Sequence, residues 1–222
     1  MDKIFTHQVC CAAGGIEMAD YVYTTAKEIN SSLDTVMEKI KAKFAYPVFV
    51  KPANTGSSVG VTKAHNDEDL ETALKLAAQF DRRILIEEFI DGYELETAVL
   101  GNDDPIVSCV GQILPSREFY SYESKYTDGT SGLIIDAPLP EGKTEELRST
   151  AARIYKLFDC KGLSRVDFFM RKSDNAIIFN EINTIPGFTD ISMYPKLFGK
   201  CGIPYSQLIE RLIDYAQEKG IR

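Results

Sequence analysis

Two neighbouring segments, Leu163-Ser-Arg-Val-Asp-Phe-Phe-Met-Arg171 and Ala176-Ile-Ile-Phe-Asn-Glu-Ile-Asn183, flank the turn-rich junction Lys-Ser-Asp-Asn and predict a β-hairpin. A three-residue loop Ser173-Asp174-Asn175, with Asn175 in the left-handed position, pairs Lys172 with Ala176. In that register Asp167 stands opposite Glu181 and Arg165 opposite Asn183, and alternation puts all four on one face. Val166, Phe168, Met170, Ile178 and Ile182 fall on the other face. Two opposed carboxylates repel each other unless something positive lies between them. A divalent cation held by Asp167, Glu181 and Asn183 meets that need, since Mg²⁺ takes one or two carboxylates together with neutral oxygens. Arg165 neutralising the pair as a surface network meets it as well. A slip of one residue would turn one carboxylate to the opposite face.

Upstream stands Lys51-Pro-Ala-Asn-Thr-Gly56-Ser57-Ser58-Val59-Gly60. A Gly-Ser-Ser-x-Gly loop offers backbone N–H groups and hydroxyls without bulk, as phosphate cradling requires, though taken alone such a loop between two strands is more often only a turn. It is no Walker loop, and it leads into Val61–Lys63, a strand-like run, rather than opening a helix. Lys51 closes the apolar run Tyr46–Lys51 and can meet an anion or simply carry its head into water.

Around these motifs the elements are mixed. A short helix is expected over 2–13, a strand over Tyr21–Thr25, and a helix over 33–43 capped by Ser31 or Ser32, with Leu33, Val36, Met37 and Ile40 on one stripe. Asn66 or Asp67 caps a helix running to about Phe80, with Leu70, Ala73, Leu74 and Ala77 inward. Strands follow at Arg83–Ile90, Glu94–Leu100 and Val107–Leu114. A polar, tyrosine-rich stretch over 116–132 has the length of a functional lid or of a disordered segment. Helices over 144–158 and 204–218 bracket the hairpin. The class is α+β, with the long antiparallel portion in the second half.

The 222 residues carry 25 basic and 33 acidic side chains, a formal charge of −8, which argues against nucleic acid as the main partner. No apolar run reaches the length of a membrane helix, so no membrane partner is expected. The five cysteines are odd in number and lack a C-x-x-C spacing, which points away from a disulfide framework or zinc site and toward a reducing cytoplasm.

Five motifs stand in order: Lys51-Pro…Gly56-Ser57-Ser58-Val59-Gly60; Ile86-Glu87-Glu88-Phe89-Ile90-x-Gly92-x-Glu94; Phe119-Tyr120-x-Tyr122-Glu123-x-Lys125-Tyr126; Arg165-Val-Asp167; and Asn180-Glu181-Ile-Asn183-Thr-x-Pro186-Gly187-Phe-Thr. Together they resemble the D-alanine–D-alanine ligase family of ATP-grasp enzymes. The resemblance begins at Met1-Asp2-Lys3 and covers the family's central and C-terminal domains. It implies a further N-terminal domain in the complete enzyme, one of whose glutamates helps to hold the first D-amino acid.

The resemblance implies an ATP-grasp fold of two α+β subdomains, 1–88 and 89–222, with the nucleotide between them. Lys3, Lys51 and Lys125 match contacts to the ATP phosphates, and Ser57, Ser58 and Gly60 lie on the loop that closes over them. Glu87, Phe89 and Ile90 match the segment that reads adenine, Glu94 the ribose contact, and Phe49 and Phe169 the flanks of the base. Asp167, Glu181 and Asn183 match ligands of two Mg²⁺ ions, for which Mn²⁺ can substitute. Arg165 and the Gly187 N–H match the stabilisers of the tetrahedral oxyanion, and Ser192 the acceptor of the second substrate's carboxylate. Tyr126, within reach of Ser57, and Met193 match forms selecting D-alanine. The implied function is cytoplasmic synthesis of D-alanyl-D-alanine for peptidoglycan, from D-alanine and ATP, with a homodimer left open. The alternatives are an ATP- and Mg²⁺-binding module without ligation, a ligase making the D-Ala-D-Ser product, and a different ATP-grasp ligase.

Overall fold

The computed structural model describes residues 2–114, 132–189 and 191–218, which fall into two compact units. In its described residues the first comprises 2–12 and 18–90, and the second 13–17, 91–114, 132–189 and 191–218.

The first unit is built on a four-stranded sheet of order β1-β4-β2-β3. The strands are β1 (Tyr21–Thr25), β2 (Val48–Pro52), β3 (Thr62–Ala64) and β4 (Arg83–Glu88). Alternation sorts their side chains cleanly. Val22, Val48, Val50, Ile84 and Ile86 pack beneath helices α2 (Ala26–Lys43) and α3 (Asp67–Phe80), through Ile29, Val36, Ile40, Leu70, Ala73, Leu74 and Ala77. On the other face, Ile4 of α1 (Lys3–Ala13) packs on Ala53 and Leu85, with Tyr21 against the cluster. Across that face Tyr21, Glu87, Phe49 and Lys63 form one row.

Helix α2 begins earlier than the predicted start at residue 33. Thr25 is the N-cap, accepting from the Glu28 N–H, while Glu28 reaches back to the Thr25 N–H, a reciprocal capping box. The Ser31-Ser32 pair marks a kink instead of a cap: Ser32 has φ −154° and ψ 46° inside the helix. A serine that favours turns over helix interiors fits either role, and only the tertiary chain path decides between them. For α3 the expected cap holds, with Asn66 accepting from the Asp69 N–H at 2.9 Å.

The second unit carries a five-stranded antiparallel sheet of order β7-β6-β5-β8-β9. Its strands are β5 (Gly92–Gly101), β6 (Ile106–Leu114), β7 (Gly132–Ile135), β8 (Gly162–Arg171) and β9 (Ile177–Asn183). Strand β7 was not expected from the sequence, and apart from Gly132 the polar stretch 116–132 lies outside the described residues. Helix α4 (Lys143–Leu157) packs on β5, β6 and β9 with Leu147, Ala151, Ile154 and Tyr155 buried. A short helix, α5 (Met193–Lys200), packs on β5, β6 and β7, and α6 (Tyr205–Gln217) on β8, β5 and α5. Along the far side of β9, the Phe179 N–H donates to the Glu17 carbonyl at 2.8 Å, so part of that edge is paired.

The hairpin forms, but its turn differs from the expected one. The loop is four residues, 172–175, with Arg171 facing Ala176: the Arg171 N–H donates to the Ala176 carbonyl at 3.0 Å. Asn175 does take the left-handed conformation, at φ 58°. The extra loop residue shifts Met170 onto Ile177, Phe169 onto Ile178 and Phe168 onto Phe179. A β-bulge between Asp167 and Phe168, which leaves Asn180 as the extra residue, then restores Asp167 opposite Glu181 and Arg165 opposite Asn183. The two displacements cancel at the carboxylates. They do not cancel nearer the turn, where Ile178 lies across from Phe169 and so shares the Asp167 face, contrary to the expected pattern.

Candidate functional site

On the first unit's α1 face, Glu87 is the centre of a buried network. Its Oε1 lies 2.6 Å from His7 Nε2, and its Oε2 is ion-paired with the Lys51 ammonium. His7 comes from α1, where it shares a buried stripe with Ile4 and Cys10. Its ring packs on Tyr21 at 4.2 Å between centroids. Burial by itself raises the Glu87 pKa, but the Lys51 ammonium and the His7 hydrogen bond outweigh it and hold the carboxyl at about 2. The sign follows directly. The folded value lies below the ordinary 4.5, so this group's stabilisation is complete above about pH 4.5 and is lost as pH falls toward 2. Urea unfolding followed between pH 5 and pH 2.5 should show a loss of stability in that window, part of which Glu87→Gln removes.

Next to this network, Phe49 and Phe89 lie 6.2 Å apart between ring centroids, and Lys63 sits over the Phe89 ring at 4.1 Å. Lys3 is anchored by its backbone N–H to the Ala53 carbonyl and donates from Nζ to the Thr55 carbonyl at 2.6 Å, at the base of the Gly/Ser loop. Ser57 and Ser58 both have positive φ, 52° and 59°, a conformation that costs non-glycine residues and often marks a functional loop. Gly60 is required on two counts. Its φ is +72°, and a Cβ there would stand 2.7 Å from Phe80 Cδ2 and 2.9 Å from Pro52 Cγ. Gly60→Ala should therefore destabilise the fold by about 1–3 kcal/mol, read from the urea midpoint.

On the second unit, the register lays one row across the sheet: Ile135, Gly111, Glu96, Asp167 and Glu181. Glu94 and Phe169 pair in the neighbouring row, and Ala98, Arg165 and Asn183 in the row on the other side. Arg165 chelates Asp167, with Nε to Oδ1 and the terminal nitrogen to Oδ2 both at 2.7 Å, and its Nε lies 3.2 Å from Glu96 Oε2. Desolvation opposes the guanidinium charge, but Asp167, Glu96 and Glu181 together push its pKa well upward. Asn183 donates to Asp167 at 2.9 Å and to Glu181 at 3.4 Å.

Arg165 neutralises Asp167, as the network reading expected. The donor set also fits a divalent cation, because two opposed carboxylates and an amide share one sheet face with a further buried carboxylate, Glu96, alongside. To serve as a ligand, Asn183 would turn its amide oxygen inward. Among the described residues no three His, Cys, Asp or Glu side chains are gathered to hold a metal by themselves.

The chain after β9 returns to this face. Ser192, at the N-cap of α5, makes no capping hydrogen bond and instead lies 2.9 Å from Thr189 Oγ1 and accepts from the Thr189 N–H at 3.1 Å. A Cβ on Gly187 would stand 2.9 Å from Ser192 Oγ, so only glycine lets the hydroxyl lie this close to the backbone. Phe188 is held between Tyr194 and Tyr205 at 5.7 and 5.3 Å, which fixes the approach to α5. Met193 is buried, and its sulfur would lie 2.8 Å from a Cβ on Gly111.

Within the first unit the structure brings together Lys51, Glu87, Phe49 and Phe89, with Lys3 and Ser57, Ser58 and Gly60 at the adjoining loop. Ile90 is buried at that unit's end. Within the second it brings together Arg165, Asp167, Glu181 and Asn183, and pairs Glu94 with Phe169. Lys125 and Tyr126 lie outside the described residues. Sequence reasoning missed Glu96, His7 and Thr189. Alternation from Glu94 points to Glu96, and the i, i+3 spacing from Ile4 puts His7 on a buried stripe.

Compared with solved structures, the chain matches the VanG D-Ala:D-Ser ligase of Enterococcus faecalis with a TM-score of 0.85 at 37% identity, covering 97% of this chain and 61% of that one. It matches the D-alanine–D-alanine ligase of Coxiella burnetii with a TM-score of 0.78 at 32% identity, covering 97% and 57%. The fold is therefore that of the ATP-grasp ligases. Residues 10–214 match the family model described as D-ala D-ala ligase C-terminus, and the chain belongs to that family. Among curated proteins it is 53% identical over 219 residues to the D-alanine–D-alanine ligase of Acetivibrio thermocellus, and 53% identical over 220 residues to that of Caldicellulosiruptor bescii. Each alignment covers 99% of this chain and 58% or 60% of the relative, so the chain spans somewhat under two thirds of their length. No helix among the described residues is long and apolar enough to cross a membrane.

Proposed function

We propose that this chain is the ATP-grasp core of a ligase that joins two D-alanines through an acyl-phosphate intermediate, the dipeptide serving peptidoglycan synthesis in the cytoplasm. The observation that carries this reading is the row of acidic residues, Glu96, Asp167 and Glu181, with Arg165 and Asn183 beside it, on a chain 53% identical to D-alanine–D-alanine ligases along 99% of its length.

In this reading Lys3 and Lys51 hold the ATP phosphates, and Ser57, Ser58 and Gly60 close the loop over them. Glu87, Phe89, Ile90 and Phe49 receive the base, with Phe169 at its other flank and Glu94 at the ribose; Lys125 is a further phosphate contact. Asp167, Glu181 and Asn183 would hold Mg²⁺, which supplies charge stabilisation to the transferring phosphoryl group. The carboxylate of the first D-alanine takes the γ-phosphoryl of ATP, giving an acyl phosphate and ADP. The amine of the second attacks the acyl carbon, and phosphate leaves. Arg165 and the Gly187 N–H stand as fixed donors for the tetrahedral oxyanion. Ser192 receives the second carboxylate, and Met193 with Tyr126 favours a small apolar acceptor. Exclusion of water protects the acyl phosphate from hydrolysis.

The test is phosphate release from ATP by the complete polypeptide, which should require D-alanine. Release that is equal with and without any D-amino acid would count against the reading. A second reading is a nucleotide- and Mg²⁺-binding module without ligation of its own, for which the Lys51–Glu87 network and the Asp167–Glu181 row would suffice. It expects ATP binding but no dipeptide from these 222 residues. The likeness to a D-Ala:D-Ser ligase makes D-serine the acceptor to compete against D-alanine in the same assay.

A further inference from the structure

We propose that His7 is a positioning residue for the nucleotide's base: it holds one oxygen of Glu87 so that the other accepts an exocyclic amino group once Lys51 turns to phosphate. This inference rests on the reading of ATP as substrate and deepens it.

The geometry leaves Glu87 few ways to stay in place. Both of its oxygens are engaged, Oε1 by His7 at 2.6 Å and Oε2 by the Lys51 ammonium, and its side chain is 8% exposed. Lys51 has two calls on its charge, the buried carboxylate and the phosphates proposed for it. A buried carboxylate stripped of its only donor is strongly disfavoured, so an ammonium that swings to phosphate needs a second donor to remain behind. His7 is that donor. It is 2% exposed and packed on Tyr21, which itself pairs with Glu87 across β1 and β4. Among the described residues its Nδ1 has no hydrogen-bond partner. Nε2 is thus the atom through which the ring acts, and ring packing fixes where it points.

With Oε1 held, Oε2 becomes a single acceptor of fixed direction. Adenine carries an exocyclic amine that donates to it; hypoxanthine carries a carbonyl oxygen there, which repels a carboxylate. His7 thereby sets base selectivity without touching the base.

Binding of MgATP and MgITP is measured by calorimetry on the wild-type protein and on two variants. His7→Phe keeps the ring and its packing on Tyr21 but has no donor; His7→Gln restores an N–H at similar reach. His7→Phe is expected to weaken MgATP binding about tenfold and leave MgITP nearly unchanged, collapsing the preference, while His7→Gln stays within about threefold of wild type. A His7→Phe protein with wild-type preference, or a His7→Gln protein no better than His7→Phe, overturns the inference alone. A wild type that binds neither nucleotide overturns the ATP reading, and this inference with it. Should His7→Phe not fold, the imidazole ¹⁵N signals of the wild type read the contact directly. They should keep Nε2–H hydrogen-bonded after MgATP is added, and release of that bond overturns the proposal.

Discussion

Asp167→Asn should lower D-alanine-dependent phosphate release by about 10³-fold or more, while the protein stays folded. The expectation follows from what the side chain touches. Asp167 is buried, faces Glu96 on one neighbouring strand and Glu181 on the other, and takes both forks of Arg165. Asparagine keeps the size and one acceptor oxygen, and Arg165 retains Glu96 at 3.2 Å, so the sheet loses little. What it loses is charge, on which both the fit to a divalent cation and the anchoring of the guanidinium depend. Mn²⁺ binding, measured by paramagnetic resonance with no substrate present, should weaken at least tenfold in Asp167→Asn and in Glu181→Gln alike. Activity within tenfold of wild type, together with unchanged Mn²⁺ affinity, would return these residues to the simpler role of a structural network around Arg165.

The second large effect is expected at Lys51, where stability and ligand binding change together and must be separated. Lys51→Ala leaves Glu87 buried with His7 as its remaining partner, a loss of about 3–5 kcal/mol by analogy with other broken buried pairs. It also removes the ammonium proposed for the phosphates, so MgATP binding should weaken by about 100-fold. The double variant Lys51→Ala, Glu87→Gln tells the two apart. Neutralising Glu87 removes the stranded charge, so the urea midpoint should recover much of the way, while MgATP binding should stay about 100-fold weaker than in Glu87→Gln alone, the reference that already lacks the base-reading carboxylate. If binding recovers along with stability, Lys51 acts only by keeping Glu87 content, and its phosphate role is lost.

Much of this was open to a reader of the chain, for local reasons. Helices α1, α3, α4 and α6 announce themselves by apolar spacing, and strands β4, β5, β6, β8 and β9 by short β-rich runs between turn residues. Helix α5 is eight residues of mixed composition, and β7 is a four-residue strand with no alternation of its own. Both are stabilised by what they pack on, so neither carries a local signal. Ser31-Ser32 shows the opposite failure, a sound cap signal that turned out to mark a kink, because Thr25 and Glu28 had already closed the helix end.

The hairpin that opens the reading divides the credit most sharply. From residue order and alternation alone, Asp167, Glu181, Arg165 and Asn183 belong on one face, and they are. The turn expected to put them there is not the one formed. A four-residue loop moves the register by one, and a bulge at Asn180 moves it back. Without the bulge Glu181 would turn into the core beside Phe168 and Phe179, an uncompensated charge among packed aromatic rings. Burial cost thus selects a register that turn chemistry alone does not. Glu96 reaches the row only through the pairing of β5 with β8, some seventy residues apart in sequence. His7 meets Glu87 only because α1 lies across the first sheet. The chain by itself determined which residue types alternate, where helices and strands begin, and which motifs stand in order. Tertiary structure decided which distant side chains share a row, because cross-strand neighbours are set by burial and pairing over the whole sheet, and no local pattern encodes them.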